Sequence, residues 1–543
     1  MTHPKLGLYD PRLDRSACGV GFITRKDGAQ SHDVILRGDE ALCAIPHRGG
    51  MSAEGVGDGA GVNIDLSVAF FSAVTGVDLR SGCFGVGNFF LPDDAAQAGR
   101  ARTLIDGALA EAGLEVLAVR DVPVDAGAIG GRALAYQLPI VQWVFRLADD
   151  PARDAAADLA SDPDAAVDPD PDAAADPEAG TDRDTASDRD RIDRAANAAL
   201  LDIEASAYAD PALAGLYPLS LSARTQVLKG RLNAGEVISY FSDLRDSRHA
   251  VRSLYFHTRF STNTEPHPTM AQPFRLMAHN GELNTDRKNR ISDEALASAR
   301  HRRIVRPPGQ SDSSRLDQTL QSRVFDDGLD FVEAVVSLMP PAWENDRTLT
   351  PDVRAMLEHF SLYEEKNDGP AALIFSDGDV IGARLDRLGL RPLRTVETDE
   401  YLMVSSEAGQ VTFPDDEVTH RGRIEAGGML YHDHRNGRTY RTREALQMLA
   451  ARRDYATLLD EARVDLDAQP APAIDRGTST LGYDGDLTLA GRYVAYSLNQ
   501  ESFRFMMDPM LADGSERITA MGYGCQSVST RSRKDWGVPV GAV

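Results

Sequence analysis

An α+β fold is predicted by two features of the 543-residue sequence. Short alternating apolar runs bounded by glycine-rich turns fill residues 18–71 and recur beyond residue 250, the period of half-buried strands. Segments with apolar residues at helical spacing are interspersed with them and grouped between residues 311 and 365. The hydrophobic share is 42%, enough for large cores, and the length exceeds what one ordinary core serves, so two or more domains are expected.

In order, Cys18-Gly19-Val20-Gly21-Phe22-Ile23 reads as a strand that starts at the cysteine. Asp39 to Ile45 is helical and leads to Pro46-His47-Arg48-Gly49-Gly50. Residues 56–62 form a glycine-rich loop that lacks the Lys-Ser/Thr of a phosphate loop and is read as lining a pocket. Asp93 to Ala112 has helical spacing; Leu114 to Val119 and Ala133 to Phe145 are strands. Residues 149–190 hold 15 acidic residues, 3 arginines, 12 alanines and no aromatic, and so predict a disordered acidic insertion. Ala195 to Ala207 is helical. Tyr217 to Asn233 is a strand followed by a helix or turn, and Leu254 to Arg259 is a strand. Asn280-Gly281 closes an apolar run as a turn at a sheet edge. Ser311-Asp312-Ser313 caps a helix to residue 324; Phe331 to Met339 and Asp352 to Glu365 are further helices. Ala371 to Ser376, Val380 to Asp386 and Tyr401 to Ser405 are strands. Thr442 to Arg463 is one charged amphipathic helix, residues 467–486 are a linker, Thr488 to Met507 is helical, and the tail after Gly522 is patternless.

The formal net charge is −25. An acidic surface disfavours nucleic acid and anionic membrane as partners, and it suits a salt-rich cytoplasm in which self-repulsion is screened. No run of 18 apolar residues is present, so no membrane span is expected, and Met1 to Ala17 has no apolar signal core. The four cysteines, Cys18, Cys43, Cys83 and Cys525, form no CxxC pair, which argues for free thiols in a reducing cytoplasm and against a metal cluster.

Ser16-Ala17 before Cys18 suggests a cut that leaves the cysteine first in the chain. One residue would then carry a thiol of ordinary pKa about 8.5 and an α-amine near about 8, nucleophile and base together. A lone cysteine is more often a small buried residue, and Asn280-Gly281, Asp312 and Arg259 taken singly read as a turn, a cap and an ion pair.

The motifs Cys18-Gly19-Val20-Gly21-Phe22, His47-Arg48-Gly49, Gly57-Asp58-Gly59-Ala60-Gly61, Arg259-Phe260-Ser261-Thr262-Asn263-Thr264, His279-Asn280-Gly281-Glu282-Leu283-Asn284-Thr285, Ser311-Asp312-Ser313 and Leu385-Asp386-Arg387-Leu388-Gly389-Leu390-Arg391-Pro392 occur in that order. Together they resemble the class II glutamine amidotransferase domain of glutamate synthases, over about residues 18–430. The resemblance implies a four-layer αββα sandwich of the N-terminal-nucleophile hydrolases, a propeptide at 1–17 and an amidotransferase domain at 18–440. A helix and linker follow at 441–486, then a truncated start of the synthase central domain at 487–543. By the same resemblance Cys18 attacks the side-chain amide of L-glutamine. Asn280 and the Gly281 N–H form the oxyanion hole, Arg259 holds the α-carboxylate, Asp312 the α-ammonium, and Thr262 lines the pocket. His47 is given no catalytic role. No cofactor is expected in this chain; the family's FMN and iron–sulfur cluster belong to domains absent here. The implied partner is a glutamate synthase domain or subunit that receives ammonia for 2-oxoglutarate. Two other readings stay open: an amidotransferase serving another acceptor, and an inactive remnant that only binds glutamine.

Overall fold

The computed structural model describes residues 18–52, 54–148, 179–259, 267–283, 287–306, 310–367, 369–463, 500 and 502–514. Its strands are β1 (Gly19–Arg25), β2 (Ala60–Asp65), β3 (Gly85–Phe90), β4 (Leu114–Asp121), β5 (Ile140–Leu147), β6 (Tyr217–Ser222), β7 (Thr225–Gly230), β8 (Ser253–Thr258), β9 (Met277–Gly281), β10 (Ala371–Ser376), β11 (Val380–Leu385), β12 (Arg394–Thr398), β13 (Tyr401–Ser405), β14 (Val418–Arg423), β15 (Met429–Asp433) and β16 (Arg438–Arg441). The helices of eight residues or more are α1 (Asp33–Cys43), α2 (Val68–Thr75), α3 (Ala95–Glu111), α4 (Ala179–Ala209), α5 (Arg287–Ala299), α6 (Asp312–Phe325), α7 (Phe331–Leu338), α8 (Pro351–Ser361), α9 (Thr442–Ala450) and α10 (Tyr455–Ala462).

Three sheets organise these elements. A seven-stranded sheet runs β14-β12-β13-β1-β8-β2-β7 and a five-stranded sheet β16-β15-β11-β10-β9. They pack face to face through Val20, Phe22, Tyr255, Leu402 and Val404 on one side and Ala278, Ala372, Ile374, Ala383 and Leu430 on the other. The other face of the large sheet is covered by α1, whose Val34, Ile35, Ala41 and Leu42 meet Ile23, Val62, Leu254 and Phe256. The other face of the smaller sheet is covered from α6 onward: Asp317 accepts the Leu276 N–H at 2.9 Å, and Phe331 of α7 packs edge-on against Phe375 of β10. The result is the αββα sandwich implied by the resemblance, in which each amphipathic sheet buries one face against its partner and one against helices. A third sheet, β4-β5-β3-β6, packs on α3 and α4 through Phe89, Trp143, Ile105 and Ile203. It is linked to the large sheet by the short turn from β6 to β7, and β7 is a strand in place of the helix or turn expected after the first strand of Tyr217 to Asn233. The two strands are buried nearly throughout, so neither carries a clear alternation.

The acidic segment differs from expectation at its far end. Residues 149–178 lie outside the described residues, but the chain is helical from Ala179, within the stretch 149–190 read as disordered. From Arg189 onward ion pairs hold this helix to the rest of the fold. Arg224 is bonded to Asp190, Asp193 and Asp379, while Asp379 also takes Arg189 at 2.6 Å and Arg252 at 3.1 Å. Acidic residues that composition alone marks as solvated are therefore spent on buried guanidinium groups. The compact unit also runs to Ala456, beyond the boundary expected at residue 440, because Leu446 and Leu449 of α9 are buried. A break at residues 451–454 divides the single helix expected over Thr442 to Arg463 into α9 and α10. In the second unit, from Thr457, a π-helical turn Ser502–Met507 precedes a helix Asp508–Asp513. The expected propeptide 1–17, the linker 467–486 and the tail after Gly522 fall outside the described residues.

Asp193 is buried and also accepts from Ser222 Oγ and the Ala223 N–H. Asp193→Ala should cost about 3–5 kcal/mol in urea unfolding, the usual loss when a buried charge pair loses one partner. Replacing residues 149–178 with a short Gly/Ser linker should cost less than about 1 kcal/mol, since loop closure depends weakly on length. Equal losses for the two variants would contradict this account of α4.

Candidate active site

Cys18 stands directly before β1. The register Gly19↔Thr258 carries it opposite Arg259, the residue after β8. Gly19 leaves no room for a side chain: a Cβ there would lie 2.4 Å from Ile45 Cδ1 and 2.7 Å from Thr258 Cγ2. From the facing sheet, Asn280 Nδ2 of β9 donates to the Cys18 carbonyl at 2.8 Å. An amide nitrogen carries two N–H groups, so one remains for a further acceptor. The next residue, Gly281, has φ 124°, and a Cβ on it would sit 1.8 Å from the Pro370 carbonyl oxygen. Only glycine fits both the dihedral and the space. The conformation brings the Gly281 amide to the Cys18 thiol, where it acts as a donor.

Burial pushes the Cys18 thiol up; the charges of Arg259 and Arg391 and the amides of Cys18 and Gly281 pull it down, and burial prevails. The free-chain thiol is thus mainly protonated at neutral pH.

Arg259 is a non-glycine residue at φ 84°, a conformation costing on the order of 1–3 kcal/mol, held by its N–H to the Gly59 carbonyl at 2.8 Å. Its Nε and Nη1 are buried without a hydrogen-bond partner among the described residues. So are His257 Nδ1, Thr258 Oγ1, His279 Nδ1 and Asn280 Oδ1. These are six of the eighteen such atoms among the described residues, and they sit on the two strand ends that meet Cys18. Leaving buried donors and acceptors unmet is unfavourable, so their concentration here marks a place built to receive polar groups from outside the chain.

The two buried histidines act as struts. His257 Nε2 donates to the His279 carbonyl at 3.0 Å, joining β8 to β9, and His279 Nε2 meets Ser313 Oγ at the start of α6. Burial depresses them to about 3 and about 4, so both are neutral above pH 5. His47 and Arg48 both engage Glu407, at 2.6 and 3.0 Å, and brace the turn before the loop 56–62.

Cys18, Arg259, Asn280 and Gly281 are therefore brought together. Asp312 opens α6 one residue before Ser313, and its Oδ1 accepts from Arg290 Nη2 at 2.7 Å. Thr262 lies outside the described residues. Two neighbours were given no role from the sequence. Arg391 acts on the thiol, and Asp58 of the glycine-rich loop is raised by burial and lowered by Arg259 and Arg231. Both stand inside the quoted motifs, which was the available signal. No group of three or more His, Cys, Asp or Glu among the described residues is arranged to hold a metal ion, and no helix among them is long and apolar enough to cross a membrane.

Because its pKa is raised, Cys18 should be alkylated by iodoacetamide at a rate that keeps climbing above about pH 8.5, the ordinary thiol value. Arg391→Ala removes a lowering charge and should slow alkylation at pH 8 while leaving the high-pH plateau unchanged. A plateau reached below pH 8 would contradict the burial argument.

Comparison with known proteins gives the family. Residues 18–160 and 181–458 match the model of the class-II glutamine amidotransferases. The chain is 31% identical over 95% of its length to "Glutamate synthase [NADH]" of Schizosaccharomyces pombe and 30% identical over 95% to the "Glutamate synthase [NADPH] large chain" of Azospirillum brasilense. It spans 24% and 32% of their lengths. It is also 31% identical over 95% to "Ferredoxin-dependent glutamate synthase 1" of Arabidopsis thaliana, spanning 30% of that protein. A solved glutamine phosphoribosylpyrophosphate amidotransferase of B. subtilis overlaps 40% of each chain with TM-score 0.25 and 19% identity, too slight to bear on the acceptor. On the family match over most of its length, the chain belongs to the class-II glutamine amidotransferases.

Proposed function

We propose that the chain hydrolyses L-glutamine to L-glutamate and ammonia as the amidotransferase part of a glutamate synthase, and that the ammonia passes to a synthase domain or subunit that aminates 2-oxoglutarate. The observation that carries this reading is the meeting of Cys18 with Arg259, whose Nε and Nη1 have no partner among the described residues, and with the donors of Asn280 and Gly281.

In the proposed reaction the chain is first cut before Cys18. The freed α-amine takes the thiol proton, and Sγ adds to the side-chain carbonyl carbon of glutamine. The oxyanion that forms is met by the second N–H of Asn280 Nδ2 and by the Gly281 amide, donors aimed at charge present only after attack. The C–N bond then breaks, the nitrogen leaves with the proton from the α-ammonium, and a thioester remains. Water adds to the thioester, glutamate departs, and the thiol is restored. Arg259 suits the substrate α-carboxylate because a guanidinium binds a carboxylate through two parallel hydrogen bonds. Asp312 is assigned the α-ammonium, which requires its carboxylate to turn from Arg290 or to bind both cations. Thr262 is assigned to the pocket wall. FMN and an iron–sulfur cluster would serve the synthase portion, and the cytoplasm is the compartment in which such chemistry has its substrates.

Intact-mass spectrometry of the active protein should show loss of Met1–Ala17. Cys18→Ser should lose nearly all glutaminase turnover while still binding glutamine; full activity with Ala17 retained would overturn the N-terminal mechanism. Steady-state kinetics should separate the other roles. Arg259→Lys and Asp312→Asn should lower kcat/KM by roughly 10- to 150-fold, mainly through KM, whereas Asn280→Ala should lower kcat by about 10²–10³ with KM little changed. A normal KM for Arg259→Lys together with a pure KM effect for Asn280→Ala would reverse these assignments.

A further inference from the structure

Among the described residues of 18–456 the two most exposed large apolar side chains are Leu388 and Leu390, at 65% and 64%. They flank Gly389 in one loop, and that loop is fixed. Asp386 Oδ2 accepts the N–H groups of Leu388 and Gly389 at 2.8 and 3.2 Å, and Gly389, at φ 62°, presses so closely on Ala426 that a Cβ would lie 2.7 Å from it. Holding two leucines rigidly in water has no folding benefit, and such a feature belongs to an interface.

Its position follows from sheet register. Gly21 pairs with Ser405, Ser405 with Arg394, and Arg394 with Arg423. These four residues therefore form a row across β1, β13, β12 and β14, spanning about 14 Å at ordinary strand spacing. Past that row, toward one end of the sheet, β1 leads to Cys18, β12 to Leu393 and Arg391, and β14 to Ile424 and Ala426. The Ile424 N–H donates to the Leu393 carbonyl at 3.0 Å, so the two segments run side by side. The leucine loop is consequently on the rim of the sheet end that carries Cys18.

The charge of this rim is opposite to that of the chain. Arg394 and Arg423 are exposed and directly opposed, a pairing of like charges that destabilises a sheet, and no carboxylate partner is found for either among the described residues. Arg391 stands in the same loop. Of the acidic groups nearby, Glu407 is paired with His47 and Arg48, Asp386 is buried and turned onto the loop N–H groups, and Glu425 accepts from Thr442 Oγ1. A local surplus of arginine on a chain of net charge −25, set around two fixed leucines, is complementary to an acidic protein surface with an apolar socket. Nucleic acid would use the arginines but not the leucines, and a second copy of this chain would present the same cations to one another.

We infer that the rim formed by Leu388, Leu390, Arg394 and Arg423 is the docking surface for the protein that accepts ammonia, and that this partner meets it with carboxylates around an apolar socket. The inference rests on the proposed glutaminase reading. Docking here would cover the Cys18 end of the sheet and shorten the path of a small neutral product to its acceptor.

The test uses the full chain in its own cells, with a benzophenone photocrosslinker in place of Leu390 and, as a control, in place of Leu36, which is 54% exposed on α1. The expected result is a protein adduct at position 390 well above that at position 36. Its crosslinked peptide should be acidic, and the adduct should fall about tenfold in the Arg394→Glu, Arg423→Glu background. The isolated Leu388→Asp, Leu390→Asp variant should keep glutaminase activity within about twofold of the parent chain while losing the partner from a pull-down by about tenfold. Absence of an adduct above control, an adduct with nucleic acid or with a second copy of this chain, or full partner retention by the charge-reversed variant would each overturn the inference. If the parent chain itself lacks glutaminase activity, the failure is that of the underlying reading, which the free-chain assay reports separately.

Discussion

The hydrogen bond from the Asn280 side-chain amide to the Cys18 carbonyl joins two sheets at the point where the chemistry is proposed, and the rest of the site depends on it. It links residues 262 positions apart and exists only because β1 and β9 end at the same level of the sandwich. That level is set by the core between the sheets. Small residues, Ala278, Ala372 and Ala383, on one face let Val20, Phe22 and Tyr255 enter from the other. A change of sheet spacing by a fraction of an ångström would break a 2.8 Å contact while leaving the hydrophobic core nearly intact, which is why the polar strut and the close packing have to be satisfied together.

Around this strut the chain accepts local costs that a purely stable fold would avoid. Arg259 sits at positive φ, Gly281 is pressed against the Pro370 carbonyl, and several buried polar atoms lack partners. Each is unfavourable in the empty protein, and each becomes intelligible if a zwitterionic amide substrate supplies the missing groups. The buried histidines contribute differently. Kept neutral by desolvation, they tie β8, β9 and α6 without adding a charge that would compete for the nucleophile or the substrate.

The acidity of the chain and the cationic character of its interior are two sides of one electrostatic plan. Half-buried Arg224 and buried Arg323 are ringed by carboxylates. Arg323 contacts Asp293, Asp327 and Glu364, and Asp293 also takes Arg306 and Arg315. Such networks hold helices to sheets with geometric specificity rather than large net stability. They absorb part of the acidic surplus that composition assigns to the surface.

Sequence by itself determined the elements whose signals are local. Alternation marks β1, β8, β10, β11 and β13; the serine cap marks α6; Asn280-Gly281 marks the end of β9; and the ordered motifs carry the family and the sandwich with them. Other elements were not legible for identifiable reasons. β14 is an exposed edge strand of mixed polar residues, so no buried face imposes a period. Lys229 lies buried within β7 because its ammonium rests on the Tyr217 and Phe274 rings and the Thr269 carbonyl, partners distant in sequence. The stretch of α4 around Asp190 looks disordered by composition because its partners lie outside it: the Arg224 guanidinium takes Asp190 and Asp193, and the Asp379 carboxylate before β11 takes Arg189. Only the tertiary structure decided that Cys18, Arg259 and Asn280 meet, that the charge of Arg391 acts on the thiol, and that Asp312 is held by Arg290. A motif specifies residue types and backbone conformation within a few positions, whereas the distance between two motifs is set by sheet register and by the packing of one sheet on another.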